Sequence, residues 1–288
     1  MVKTGLVLEG GGMRGIFSTG VLDAFLENGI SFDHCIGVSA GACHACSFLS
    51  GQKGRSFKIS TEYLNDKRYC SLRSLLTTGD LFGVKMSYEL IPRVLNPVDN
   101  EAFLKNPCTF QSVITNCETG KAEYPVIKDM FQDLLFVRAS SSLPGFSRMV
   151  EINGGKYLDG GISDSIPLRR SIKEGFEKNV VVLTQVRGYL KEPAGMMGFF
   201  RKKYKDYPKL LEAMENRHIM YNDTLSFIAG EEEAGRAFVI APPEPLNLKR
   251  IEKDREKMKK SYHAGYAEAK RLMPELLMFL GKETEQEP

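Results

Sequence analysis

The chain alternates short apolar runs with stretches of helical periodicity. Gly5-Leu6-Val7-Leu8 is too short for a buried helix and reads as a buried strand. After a glycine-rich segment, Ile16, Phe17, Gly20, Val21, Ala24, Phe25 and Leu26 recur at helical spacing until Asn28-Gly29 ends the pattern. His34 to Val38 reads as a second short strand. Ala40 through Leu49 reads as a helix with Gly51 as its stop. Residues 52–105 are charged and mostly helical or irregular. Strand signals return at Thr109–Asn116 and Ala122–Tyr124, joined by a turn over 117–121. They appear again around Gly154-Gly155, between Val150–Asn153 and Lys156–Leu158. Asn179–Val186 is the clearest buried strand, and Ala237–Ala241 is a last one, closed by Pro242-Pro243. From about Pro245 the pattern is helical and highly charged, ending in an acidic tail. Strands alternating with helices predict a three-layer α/β/α sandwich with a largely parallel sheet. The expected division is a main domain over 1–245 and a small helical C-terminal extension over 246–288, with Met258, Tyr262, Tyr266, Leu272, Leu276 and Leu277 packing back. No internal repeat or low-complexity linker is visible.

Composition narrows the class. Hydrophobic residues at 42% and charged residues at 26% are those of a folded protein, which sets aside disorder and collagen-like chains. A net charge of +3 gives no argument for nucleic acid as a partner. No run reaches the roughly 18 apolar residues of a membrane span, and Glu9 interrupts the N-terminal apolar run, so no signal peptide is expected. The expected location is cytoplasmic, with a peripheral position on the inner membrane surface as a variant of it. Six cysteines are too sparse for a disulfide scaffold and read as reduced thiols. Cys43-His44-Ala45-Cys46 matches C-x-x-C, but with no second ligand pair it reads as helix packing and not as a metal or redox site.

The chemistry concentrates at three places. Gly37-Val38-Ser39-Ala40-Gly41 fits G-x-S-x-G, between a short strand and a small-residue helix. A serine there projects its hydroxyl from a sharp turn, and Gly37 and Gly41 remove the side chains that would clash. The following helix points its N-terminal N–H groups at the site. Gly10-Gly11-Gly12-Met13-Arg14-Gly15 has two readings. As G-x-G-x-x-G after a strand it fits a dinucleotide site, but that reading needs an acid at the end of the second strand. The available acid, Asp33, precedes that strand, and Ser39 stands at its end. As an oxyanion loop, consecutive glycines leave backbone N–H groups free to converge on one oxygen, with Arg14 fixing the loop or adding positive charge. Third, Asp159-Gly160-Gly161 presents an acid at a strand end.

These motifs, in this order, resemble those of the patatin-like phospholipase family, which carries G-G-G-x-[KR]-G, then G-x-S-x-G, then D-G-[GA]. The Ser-rich stretch Ala139–Phe146 and Pro167 fit the same pattern, and the resemblance covers about residues 4–245. It implies a lipid acyl hydrolase with Ser39 as nucleophile and Asp159 acting directly as base, no histidine, and neither metal nor organic cofactor. A Ser-His-Asp triad with His218 or His263 is the rival, yet both histidines fall in charged helical segments. A silent family member that only binds is a further alternative. Met196–Lys205 sets apolar residues beside a cluster of cations and suggests a lid or a peripheral membrane contact. A lipid or other ester is the expected partner. Oligomeric state is not readable.

Overall fold

The computed structural model describes residues 2–249 and 251–282, so the acidic tail beyond Lys282 lies outside the described residues. β1 (Thr4–Leu8) leads through a 3-10 turn at Gly12–Gly15 into α1 (Ile16–Glu27). β2 (His34–Val38) leads through Ser39 into α2 (Ala40–Leu49). α3 (Arg55–Glu62), α4 (Leu72–Thr78), a π-helix (Met86–Leu95) and α5 (Asn100–Lys105) follow. β3 (Thr109–Asn116) carries two short companions, β4 (Ala122–Glu123) and β5 (Val126–Ile127). α6 (Leu134–Ser140) precedes the hairpin of β6 (Val150–Ile152) and β7 (Gly155–Asp159). Its turn residues Asn153 and Gly154 have φ of 50° and 82°, the left-handed pair that a tight two-residue hairpin loop requires. α7 (Leu168–Lys173), β8 (Lys178–Val182), α8 (Met197–Lys203), α9 (Pro208–Glu233), β9 (Ala237–Ile240), α10 (Arg255–Arg271) and α11 (Met273–Leu280) complete the order.

The sheet runs β6-β7-β3-β2-β1-β8-β9. Its five central strands, from β3 to β9, are parallel; β6, β7, β4 and β5 join antiparallel. Strand periodicity sorts the core into two layers. Leu6, Leu8, Cys35 and Phe110 face one side and pack with Phe17 and Phe25 of α1, Phe48 of α2 and Leu276 of α11. Val7, Ile36, Val38 and Val113 face the other and pack with Leu168 of α7 and with Tyr221 and Ile228 of α9. The fold is a three-layer α/β/α sandwich.

Two local departures from the sequence pattern have visible causes. β8 stops at Val182 rather than Val186, because the Thr184 N–H donates to the Glu9 carboxylate (2.6 Å) instead of to a neighbouring strand. Helix does not begin at Pro245 but at Arg255. Buried Glu252 accepts the backbone N–H groups of Lys253 and Asp254 (2.8 and 3.0 Å), holding that segment out of helix until Asp254 caps α10. α10 lies tightly on α1. A Cβ placed on Gly20 would stand 2.1 Å from Tyr262 O, and one on Gly265 would stand 2.0 Å from Phe17 O. Only glycines permit that approach.

Candidate active site

Strand register gathers the three motifs. Leu8 of β1 lies opposite Gly37 of β2, so the segments that leave the two strands emerge side by side. Val38 lies opposite Val113 of β3, and the next β3 residue, Ile114, lies opposite Asp159 of β7. Ser39 and Asp159, 120 positions apart in the chain, thus arrive at the same level of the sheet. The site lies beyond the carboxyl ends of the parallel strands, where open α/β sheets bind their ligands.

Ser39 sits in the turn between β2 and α2 with φ 54° and ψ −120°, a backbone conformation that costs a non-glycine residue energy. Tight packing holds it there. A Cβ on Gly41 would meet Leu8 O at 2.6 Å and Glu9 O at 2.9 Å, so α2 abuts the end of β1. The Ser39 N–H donates to Ser140 Oγ (2.9 Å), anchoring the turn to α6. The Ser39 hydroxyl donates to Asp159 Oδ2 at 2.6 Å. Asp159 is held in turn: Gly161 N–H donates to Oδ1 (2.8 Å), and Thr115 Oγ1 donates to its carbonyl (2.8 Å). Ser39 and Asp159 are both buried.

The glycine-rich segment forms the 3-10 turn beside the serine. Gly10 passes close enough that its Cβ would stand 3.1 Å from Ser39 Cβ. Gly12 takes φ 57°, which turns the chain into α1. The Gly10 N–H lies 3.5 Å from Ser165 O, and Arg14 N–H donates to Gly11 O (3.3 Å). Gly12 and Met13 open the 3-10 turn, where N–H groups have no partner within the helix. Arg14 borders the opening above Ser39, and its buried Nε has no hydrogen-bond partner among the described residues.

Two spaces meet at Ser39. On one side an apolar cavity of about 180 Å³ runs between α2, α3 and the π-helix, past Ile16, Ile59, Ile91 and Val137. On the other a more polar opening of about 360 Å³ is bordered by Asp159, Arg14, Lys191 and Arg217, with Met196 and Phe200 of the α8 region at its edge.

No imidazole lies between the hydroxyl and the carboxylate, since their bond is direct. His218 does border the polar opening, but its Nδ1 bonds Glu215 O within α9 (3.0 Å). His263 packs against Tyr262 on α10. His44 sits against Gly15 and is held neutral by burial, with its pKa down at about 4. His34 stacks on Phe176 and bonds Gln111. The neighbouring thiols are protonated: burial pushes Cys43 up to about 11 and Cys46 to about 12. All six cysteines are free, and no group of three metal-ligating side chains occurs among the described residues. Asp33 accepts from Thr4 N and Oγ1 (2.7 and 3.0 Å), before β2 and far from the strand ends where a ribose would lie.

Several residues near the site give no sequence signal. Arg217 of α9 donates from Nε to Gly161 O and so clamps the Asp-Gly-Gly turn. Glu9 carries its buried carboxylate between Thr184 N and Tyr221 Oη, both at 2.6 Å. Ser140 stands in the Ser-rich stretch, the one place where the pattern hinted at a role.

Known proteins of similar sequence bear on this arrangement. The family model described as patatin-like phospholipase matches residues 6–171, and a domain of unknown function, DUF6363, matches 207–281. The protein YjjU of Escherichia coli K12 is 29% identical over 255 residues, covering 85% of this chain and 70% of that one. The lysophospholipase NTE1 of Candida albicans is 30% identical over 188 residues, and that of Meyerozyma guilliermondii 29% over 187. Each alignment takes in 62% of this chain but only 13% and 12% of those longer proteins. Among solved structures, VipD from Legionella pneumophila superposes on 95% of this chain and 67% of its own, with a TM-score of 0.48 and 14% identity.

Proposed function

Since this chain belongs to the patatin-like phospholipase family, we propose that it hydrolyses carboxylic esters of lipids, of the phospholipase A or lysophospholipase type, through a Ser39–Asp159 dyad. The 2.6 Å hydrogen bond from Ser39 Oγ to Asp159 Oδ2 carries this reading. The acyl chain lies in the apolar cavity, and the alcohol portion lies in the polar opening beside Arg14 and Arg217. Ser39 Oγ attacks the ester carbonyl as Asp159 takes its proton. The tetrahedral oxyanion is held by backbone N–H groups of the Gly10–Gly15 turn, those of Gly12 and Met13 above all, with the N-terminus of α2 adding favourable potential. Asp159 returns the proton to the leaving alkoxide, giving acyl-Ser39. Water then enters, gives its proton to Asp159, and releases the fatty acid as the proton passes back to Ser39.

An aspartate is a weak base, with an ordinary pKa near 3.9. The dyad therefore depends on position and on oxyanion stabilisation more than on proton affinity. Two similar proteins bear the name lysophospholipase, which makes single-chain lipids the first substrates to try. Among the described residues no helix is long and apolar enough to cross a membrane. The exposed Met196 and Phe199, beside Arg201, Lys202, Lys203 and Lys205, supply a peripheral contact at the mouth of the polar opening.

Fatty-acid release from lysophosphatidylcholine tests the reading. Ser39→Ala and Asp159→Asn should each abolish it, while His218→Ala and His263→Ala should leave most of it. Loss of activity in either histidine variant, with the fold intact, would refute the dyad.

A further inference from the structure

The apolar cavity that begins at Ser39 does not end in hydrocarbon alone. Arg55, at the start of α3, lines it with only 8% of its surface exposed. Its hydrogen bonds all go to uncharged groups. Nε donates to Asn96 O and Pro97 O (3.2 and 3.3 Å), Nη2 to Asn96 O (2.8 Å), and Nη1 to Ser47 Oγ (2.9 Å). A guanidinium has five N–H groups. Among the described residues these bonds occupy one on Nε and one on each Nη, which leaves one N–H on each Nη. The titratable groups acting on it, among the described residues, are Cys46 and Tyr63, both protonated at neutral pH, and burial pushes each further above its ordinary value. A cation removed from water without a counter-ion is expensive, and proteins normally pair it. The same cavity wall carries the hydroxyl of Ser60, and that of Ser87, whose buried Oγ has no partner among the described residues. A pocket meant only for methylene groups has no use for these.

The distance fits an acyl chain. Ser47, which touches Arg55, lies eight residues along from Ser39, with α2 between them, roughly 12 Å at 1.5 Å per residue. That is the reach of a medium-length chain.

We propose that Arg55 receives the far end of the acyl group, and that the site selects medium-length acyl chains ending in a carboxylate, the half-esters of dicarboxylic acids. The inference rests on Ser39 as the acyl acceptor. The terminal carboxylate takes the two remaining Nη N–H groups as a charge-assisted pair, with the Ser60 and Ser87 hydroxyls donating to its other lone pairs.

The test compares two esters of equal chain length, mono-(4-nitrophenyl) nonanedioate and 4-nitrophenyl nonanoate. The unaltered protein should favour the first in kcat/KM by about tenfold or more, the usual value of a hydrogen-bonded charge. Arg55→Gln should remove that preference while retaining hydrolysis of the nonanoate ester, and Arg55→Lys should restore part of it. A preference of the unaltered protein for the methyl-ended ester, which needs no variant to fold, would overturn the proposal. So would an equal loss on both esters in Arg55→Gln. Binding separates this from the catalytic reading. Monomethyl nonanedioate should raise the melting temperature of Ser39→Ala protein, and methyl nonanoate should do so less. Equal shifts count against Arg55. If Ser39→Ala protein still hydrolyses both esters, the nucleophile assignment fails, and selective stabilisation by the half-ester would still support the Arg55 site.

Discussion

The backbone at Ser39 gives a stability measurement that reports on the elbow without any substrate. At φ 54° and ψ −120° a residue with a Cβ is strained, by about 1–3 kcal/mol for such conformations. Ser39→Ala keeps the Cβ and the strain and loses the bond to Asp159. Ser39→Gly loses the same bond but removes the strain. The difference between the two variants therefore isolates the backbone term. Against it stands the greater freedom of glycine in the unfolded chain, about 0.5–1 kcal/mol. The Ser39→Gly protein should thus be more stable than the Ser39→Ala protein by about 1 kcal/mol at the middle of these ranges and about 0–2.5 kcal/mol across them, or a few degrees in Tm for a chain of this size. Urea unfolding of both variants, followed by circular dichroism, reads the difference as a shift in midpoint at constant slope. If Ser39→Ala proves more stable than Ser39→Gly, the turn is not strained, and the serine is not presented in the way described.

Two further outcomes follow from titratable groups around the site that the fold shields from bulk water. Burial lowers the His44 pKa from 6.5 to about 4, so the unfolded chain takes up a proton at a higher pH than the folded one. Stability should fall as the pH drops from about 6.5 to 4, by up to about 3 kcal/mol, and level off below that. Melting curves across this range should show the fall, and His44→Gln should flatten it; an unchanged slope in that variant would place the effect elsewhere. Tyr221 donates to the buried Glu9 carboxylate. Tyr221→Phe should cost about 2 kcal/mol in urea unfolding, as expected for a bond to a charged acceptor, and a cost near zero would mean that Glu9 finds another donor.

The elements nearest the chemistry were also the most legible in the sequence. Leu6, Val7 and Leu8, buried on both faces, give the unbroken run of a central parallel strand. Ser39 and its flanking glycines show for the same steric reason. What could not be read depends on partners distant in the chain. Glu9 breaks an apolar run, yet its carboxylate is satisfied by Thr184 and Tyr221, 175 and 212 residues away. Arg217 looks like any cation on a charged helix until α9 brings it to Gly161. Residues 52–105 read only as charged and mostly helical or irregular, whereas the structure forms a π-helix over Met86–Leu95, Pro92 included, that makes one wall of the apolar cavity. β5 has only two residues, Val126 and Ile127, and exists because β3 offers them an antiparallel edge. Arg55 belongs to a charged middle segment with no motif, and only the fold places it in a cavity beside Ile59 and Ser60.

Covalent capture of the nucleophile tests the central assignment most directly. A fluorophosphonate, followed by intact-mass measurement and peptide mapping, should leave one adduct on Ser39. The adduct should be absent in Ser39→Ala, strongly slowed in Asp159→Asn, and formed at the ordinary rate in His218→Ala. An adduct on another residue, no adduct on folded protein, or full-rate labelling of the Asp159→Asn variant would contradict the account.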